Sequence, residues 1–241
     1  FSTGYKSGGF DQRFVGPTPD GAPSSYQPES VDSLELGLKT TSFNDRLRVN
    51  IAVFDAEYDD LQIIVRESFN PLTVNAGDAR IRGGELELQW LAATNWDIEF
   101  SAGYLDTEYR RLSQAAQDSG VRLENTLSNS PAWSIAAGTS YRLGLPGLGE
   151  TTARLDWAWK DAEYNDAVNS PQIRQPSFHL VNASLAFAPW ESDWRLTIAT
   201  RNLFDETYLV TGNSAFDTTA AYVEQVYGRP REFLVSLTYE F

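Results

Sequence analysis

The sequence predicts an all-β fold, an antiparallel up-and-down transmembrane β-barrel represented here by about nine or ten strands. Three observations predict it. Apolar and polar residues alternate with a period of two over many segments, which gives strands with two unlike faces. The connections between these segments are alternately short and long, as in barrels with tight turns at one membrane surface and larger loops at the other. Aromatic residues make up 13% of the chain and gather toward the ends of the predicted strands, where membrane barrels carry girdles of rings.

In chain order, a strand-like segment at 1–5 precedes the first clear alternation, in which Leu34, Leu36 and Leu38 face away from Glu35, Gly37 and Lys39. Leu47, Val49, Ile51 and Val53 then oppose Arg46, Arg48 and Asn50. Leu86, Leu88 and Trp90 oppose Glu85, Glu87 and Gln89, and Trp96, Ile98, Phe100, Ala102 and Tyr104 oppose Asp97, Glu99 and Ser101. The pattern continues through Trp133, Ile135 and Ala137, then Leu155, Trp157 and Trp159 against Arg154, Asp156 and Lys160. Val181, Ala183, Leu185 and Phe187 follow against Asn182 and Ser184, and Trp194, Leu196 and Ile198 against Arg195 and Thr197. It ends with Phe233, Val235, Leu237, Tyr239 and Phe241 against Glu232, Ser236, Thr238 and Glu240. Short turns are expected at 41–45, 92–95, 144–149 and 188–193, and long structureless loops near 67–75, 110–130, 164–176 and 211–228. Loops of that length are unusual in compact soluble domains. The Gly83–Gly84 pair inside a strand pattern marks a bulge or a close backbone approach.

Trp90, Trp96, Tyr141, Trp190, Trp194 and Phe241 fall at the short-turn end, and Tyr104, Tyr109, Trp133, Trp159, Phe178 and Tyr208 toward the long-loop end. Cross-strand packing is the alternative for these rings; clustering at both ends favours two interface belts. Strands in hydrocarbon must pair every backbone N–H and C=O, and only a closed sheet does so. Single-chain bacterial barrels have even strand numbers, so an odd count, together with an opening at Phe1 and no methionine, leads us to expect a portion of a larger barrel. The charged second faces suit a hydrated lumen and would not suit a dry core.

Several function classes are excluded or disfavoured. No stretch approaches the ~18–20 apolar residues of a spanning helix, and the mean hydropathy is −0.37. The net charge of −14 argues against nucleic acid as a partner. With no cysteine and one histidine, His179, a Cys/His zinc site cannot be built and no nucleophile motif accompanies the histidine. His179 shares the parity of Val181 and is expected at the membrane interface. Asp118, Glu124, Asp161, Glu163, Asp166, Asp217 and Glu224 lack the spacing of a calcium loop. No cofactor, metal site or enzyme activity is expected.

Asn202, Leu203, Phe204, Asp205, Glu206, Thr207 and Tyr208 read NLFDETY, which resembles the N-L-F-[DN]-x-x-Y signature on the penultimate strand of TonB-dependent receptors. Gly228, Arg229, Pro230 and Arg231 resemble the G-x-P-R pattern before that family's last strand, and Phe241 its terminal aromatic residue. YKSGGF from Tyr5 and YQPESVDSLELGLKT from Tyr26 are similar to its mid-barrel, so the resemblance spans nearly the whole chain. It implies that residues 1–241 are the C-terminal portion of a plugged barrel of about 22 strands, without the N-terminal plug and first strands. It further implies an outer-membrane location, contact with membrane lipid, energising by the TonB complex through the plug, and import of a scarce nutrient such as a ferric siderophore. A small-molecule or metal-chelate ligand would meet the extracellular loops, where Tyr164, Asn165, Phe216 and Tyr222 are the aromatic and polar candidates. For Asn202 and Asp205 a turn or strand-end hydrogen-bonding role is favoured over ligand contact. Two other classes are weighed against the importer: a self-contained outer-membrane pore or adhesion barrel of about ten strands, and a soluble β-sandwich whose apolar faces stack on each other.

Overall fold

The computed structural model describes residues 1–11, 24–67, 70–216 and 221–240. Ten strands form one antiparallel sheet in which each pairs with its sequence neighbours. They are β1 (Ser2–Lys6), β2 (Glu29–Ser42), β3 (Leu47–Asp59), β4 (Gly77–Ala93), β5 (Trp96–Leu112), β6 (Trp133–Leu145), β7 (Gly149–Lys160), β8 (Phe178–Pro189), β9 (Trp194–Arg201) and β10 (Glu232–Tyr239). The strand-like segment at the start is β1, which pairs with β2 from Ser2 opposite Ser33 to Lys6 opposite Glu29. Among the described residues this sheet therefore has ten strands, with β1 and β10 at its two ends.

Register turns the sequence alternation into two continuous faces. Leu38, Ile51, Leu86, Ala102, Ile135 and Trp159 form one cross-strand row. Arg48, Gln89, Glu99, Gly138, Asp156 and Asn182 form a row on the opposite face. Leu36 is 75% exposed and Val235 73% exposed. A soluble protein does not leave so continuous an apolar surface uncovered; lipid covers it in a barrel. The oily faces do not stack on one another, so the sandwich alternative is overturned.

The polar face is laced with ion pairs. Arg154 donates to Glu99 at 3.1 Å and Asp156 at 2.7 Å, directly over Gly138, where a Cβ would fall 3.0 Å from Asp156 and 3.3 Å from Arg154. Arg142 reaches Asp97 at 3.3 Å, and Asn50 donates to Glu87 at 3.0 Å. One ionic ladder was not anticipated, because it stands on the apolar side. Opposite Asp55 lies Arg82, and opposite Arg82 lies Asp106; the next row holds Glu57, Arg80 and Glu108. Arg80 pairs with Asp55, and Arg82 lies 2.8 Å from Asp106 and 3.6 Å from Glu108.

The aromatic expectation needs correction at the long-loop end. Trp90, Trp96, Tyr141 and Trp190 stand exposed at the short-turn end, and Tyr104 and Trp133 pair at 4.8 Å at the other. Tyr109, however, is 5% exposed, because its odd number puts it on the opposite face from Tyr104, where it pairs with Ala79. Phe178 shares the polar face with Lys160 and stacks on Tyr208 at 4.8 Å. Neither Tyr109, Phe178 nor Tyr208 belongs to a lipid-facing belt. Gly83 is a close-approach site, since a Cβ there would lie 2.5 Å from both Phe54 and the Tyr104 carbonyl. The bulges of this strand pair fall elsewhere, near Asp78 and Leu91.

The long connections are also not structureless. The first carries a hairpin of Gln62–Glu67 with Asn70–Asn75, and the second a short helix, α1 (Gln114–Asp118), whose N-cap Ser113 accepts a hydrogen bond from the Ala116 amide. The third pairs Glu163 and Tyr164 with Gln175 and Arg174, and the fourth carries a hairpin of Leu209–Ser214 with Val223–Tyr227. Ile63, Val65, Ala76, Ala79, Tyr109, Ala116, Val121, Leu127 and Ala167 form a buried core beneath the first three. Apolar residues placed in the connections thus bury against each other, and this burial offsets the cost of ordering long loops.

Candidate functional site

At the long-loop end the connections enclose a cavity of about 920 Å³, within the range expected of small-molecule sites. Its walls come from four places: Gln62–Val65 of the first hairpin, Asp118–Gly120 at the end of α1, the 165–171 turn, and Gly212–Phe216 of the last hairpin, with Lys6 at its edge. Alternation along the first hairpin turns Ile63 and Val65 into the core while Ile64 stays exposed. The 165–171 turn is fixed by its own polar side chains: Asp166 accepts from the Ser170 amide at 2.8 Å, and Asn169 donates to the Thr126 carbonyl at 2.9 Å. A second depression of about 390 Å³ lies on the polar face of the sheet between Arg48, Glu87, Glu99, Asp156 and Asn182.

Two of the four residues singled out as ligand candidates, Asn165 and Phe216, line the large cavity. Asn165 is held by a hydrogen bond from its side-chain amide to the Ile173 carbonyl at 2.8 Å; Phe216 is half exposed. Tyr164 and Tyr222 are not among the lining residues. The Tyr164 ring instead receives the Arg174 guanidinium at 5.8 Å, and the Tyr222 carbonyl accepts from the Ala215 amide. Asp118, Asn129, Asp166 and Asn213 also line the cavity. Sequence reading had Asp118 and Asp166 only as loop acids and passed over the asparagines, since nothing in a single loop shows which side chains converge from four. Among the described residues no three of His, Cys, Asp or Glu gather where they could hold a metal ion.

The NLFDETY segment has a different geometry. Asn202 is 5% exposed; its amide nitrogen donates to the Glu206 and Arg229 carbonyls at 2.8 and 3.1 Å, and its carbonyl accepts from the Glu206 amide at 2.8 Å. Asp205 accepts from the Arg231 amide at 2.8 Å, and the Leu203 amide donates to the Val181 carbonyl. Asn202 and Asp205 have φ of 49° and 57°, a region that Asn and Asp tolerate better than most residues. Gly228 packs so tightly on Tyr208 that a Cβ would lie 2.0 Å from the ring. The segment therefore fastens β9 to the lead-in of β10, with Pro230 and Arg231 entering the last strand. Phe204 is exposed, and Phe241 lies outside the described residues, as does Asp217.

A family described as TonB dependent receptor-like, beta-barrel, matches residues 1–203. The chain belongs to the TonB-dependent receptor β-barrel family. Such receptors reside in the outer membrane of Gram-negative bacteria, and the family is one of transporters. A probable TonB-dependent siderophore receptor, PiuA, of Acinetobacter baumannii is 24% identical over 201 residues, covering 80% of this chain and 25% of the relative. A ferric-pyoverdine BN7/BN8 receptor of Pseudomonas putida is 28% identical over 209 residues, covering 86% and 22%. The chain thus spans about a quarter of the length of these relatives. Among solved structures, the ferric yersiniabactin uptake receptor FyuA of Yersinia pestis superposes with a TM-score of 0.79 at 21% identity, covering all of this chain and 34% of that one. This likeness gives the fold: ten strands of a TonB-dependent barrel, apolar face outward, polar face toward the lumen.

Proposed function

We propose that residues 1–241 form the C-terminal portion of the barrel of a receptor that imports a ferric siderophore across the outer membrane. The parent would be energised by the TonB complex through an N-terminal plug, and its outer surface would meet membrane lipid. The observation that carries this reading is the large cavity, which opens at the loop end and is walled by four separate connections, three of which fold onto a common core. A passive pore has no need to hold such loops in one packed arrangement; a receptor that captures a scarce ligand does, because preformed walls lower the entropic cost of binding. Asn165 and Phe216 are proposed to touch the ligand, with Tyr164 and Tyr222 supporting the loops that present them. No catalytic role is assigned. The reading draws on the likeness to the relatives above, which are siderophore receptors. A self-contained ten-stranded pore is the less favoured reading, because β1 and β10 end the sheet without pairing to each other among the described residues.

The test is iron-limited growth of a strain lacking the full-length receptor, supplied in turn with purified ferric siderophores. Loss of growth on at least one of them, restored by the intact gene, is expected. Unchanged growth on every siderophore, with a defect on another nutrient, would overturn the substrate assignment.

A further inference from the structure

We infer that the loop-end cavity is built for an uncharged or cationic ferric chelate, of the trihydroxamate class, and discriminates against trianionic tricatecholate chelates. This rests on the siderophore reading above and adds the charge class of the ligand. Among the described lining residues Lys6 is the single basic side chain, whereas Asp118 and Asp166 are both acidic. Among the described residues neither carboxylate has a basic partner: Asp118 accepts from the Gln114 side-chain amide at 2.7 Å and Asp166 from the Ser170 amide at 2.8 Å, both uncharged donors. Two described arginines of the surrounding connections are engaged outside the cavity. Arg122 donates to the Gln117 and Val121 carbonyls, and Arg174 lies against the Tyr164 ring.

The rest of the described wall is neutral, with amide groups such as Asn165 and Asn213 beside apolar Ile64, Val168 and Phe216. A trianionic chelate entering this space would leave water for a wall whose described residues carry two carboxylates and one ammonium group. Charge moved into a partly enclosed site without opposite charge is strongly disfavoured. A ferric trihydroxamate balances the charge of iron within the chelate and presents carbonyl and amide groups, which neutral hydrogen-bonding side chains recognise, beside methylene chains that suit the apolar wall. A pendant ammonium group on such a chelate would be drawn toward Asp118 and Asp166.

The purified full-length receptor in detergent, titrated by intrinsic tryptophan fluorescence with three probes, decides this. The probes are a neutral ferric trihydroxamate, a trihydroxamate bearing one free amine, and a trianionic ferric tricatecholate. Binding of the first two at least tenfold tighter than the third is expected. In Asp118→Asn, the advantage of the cationic probe over the neutral one should shrink about two- to threefold, as expected for one screened charge, with the heat-modifiable mobility of the folded barrel unchanged. Equal or tighter binding of the trianionic probe would overturn the charge assignment and leave the siderophore reading standing. Binding of none of the three would remove both.

Discussion

Replacing Asn202 by alanine removes three hydrogen bonds at once, at 2.8, 3.1 and 2.8 Å, from a side chain 5% exposed. At about 1 kcal/mol net for each bond, the loss comes to about 3 kcal/mol, and it falls on backbone groups that have no ready substitute. Residue 202 also sits at φ 49°, where an alanine costs a further ~1 kcal/mol that glycine does not incur. Asn202→Ala should therefore destabilise the 202–231 segment by about 4 kcal/mol, and Asn202→Gly by about 3 kcal/mol. Urea unfolding of the full-length receptor in lipid vesicles, with hydrogen exchange reporting on the 202–231 segment, measures both. If the alanine variant stays within about 1 kcal/mol of the wild type, or the glycine variant is the less stable of the two, then the hydrogen bonds and the backbone conformation do not hold this junction as argued.

Gly228→Ala places a methyl group 2.0 Å from the Tyr208 ring, which cannot retreat because it stacks on Phe178; a loss of about 1–3 kcal/mol in urea unfolding is expected. Ile51→Arg on the lipid face should cost about 2–4 kcal/mol in vesicles, whereas Gln89→Arg on the opposite face should change stability by less than about 0.5 kcal/mol. Arg154→Ala leaves Glu99 and Asp156 facing each other, but these groups are well exposed to solvent, so a loss of only about 0.5–1 kcal/mol is expected, diminishing in high salt. Phe216→Ala should weaken siderophore binding about tenfold with the folded barrel intact, read by fluorescence titration.

The sheet was legible because each strand repeats one decision, apolar outward and polar inward, and lipid enforces it on every row. Leu34, Leu36 and Leu38, or Phe233, Val235 and Leu237, cannot be shifted by one residue without placing polar or charged side chains in hydrocarbon, so sequence alone fixes their face. The same parity puts Tyr109 on the inner face, and its nearness to the strand end does not make it part of a belt. The ionic ladder escaped notice because Asp55, Arg80, Arg82 and Asp106 keep the outward parity beyond the point where hydrocarbon ends. In the loops the governing contacts join residues far apart in sequence. Thr126 meets Asn169 and Asn125 the Ala167 carbonyl, and no local pattern announces either. Of the ligand candidates, Asn165 and Phe216 reach the cavity and Tyr164 and Tyr222 do not, because aromatic character in a loop says nothing of whether the ring packs on its own strand partner.

The ladder also locates the loop-end cavity relative to the membrane. Val53, Gly84 and Tyr104 form the last apolar row of the outer face, and Asp55, Arg82 and Asp106 the next row above it. An arginine well inside hydrocarbon costs about 2–4 kcal/mol, falling to ~0–1 near the interface, so these two rows bracket the upper boundary of the apolar layer. β4 and β5 are each 17 residues long, about 55 Å when extended, and even at a tilt of ~45° they outreach a ~25 Å apolar band. The five-residue step from Arg82 to Gly77 carries β4 about 16 Å further along the strand before the first hairpin and its core begin. The cavity walls are therefore raised clear of the headgroups on strands that spend their outer ends on ion pairs rather than lipid contact. On the proposed reading a ligand would approach this cavity through water, where the acidic side chains would act on it with their charges only partly screened.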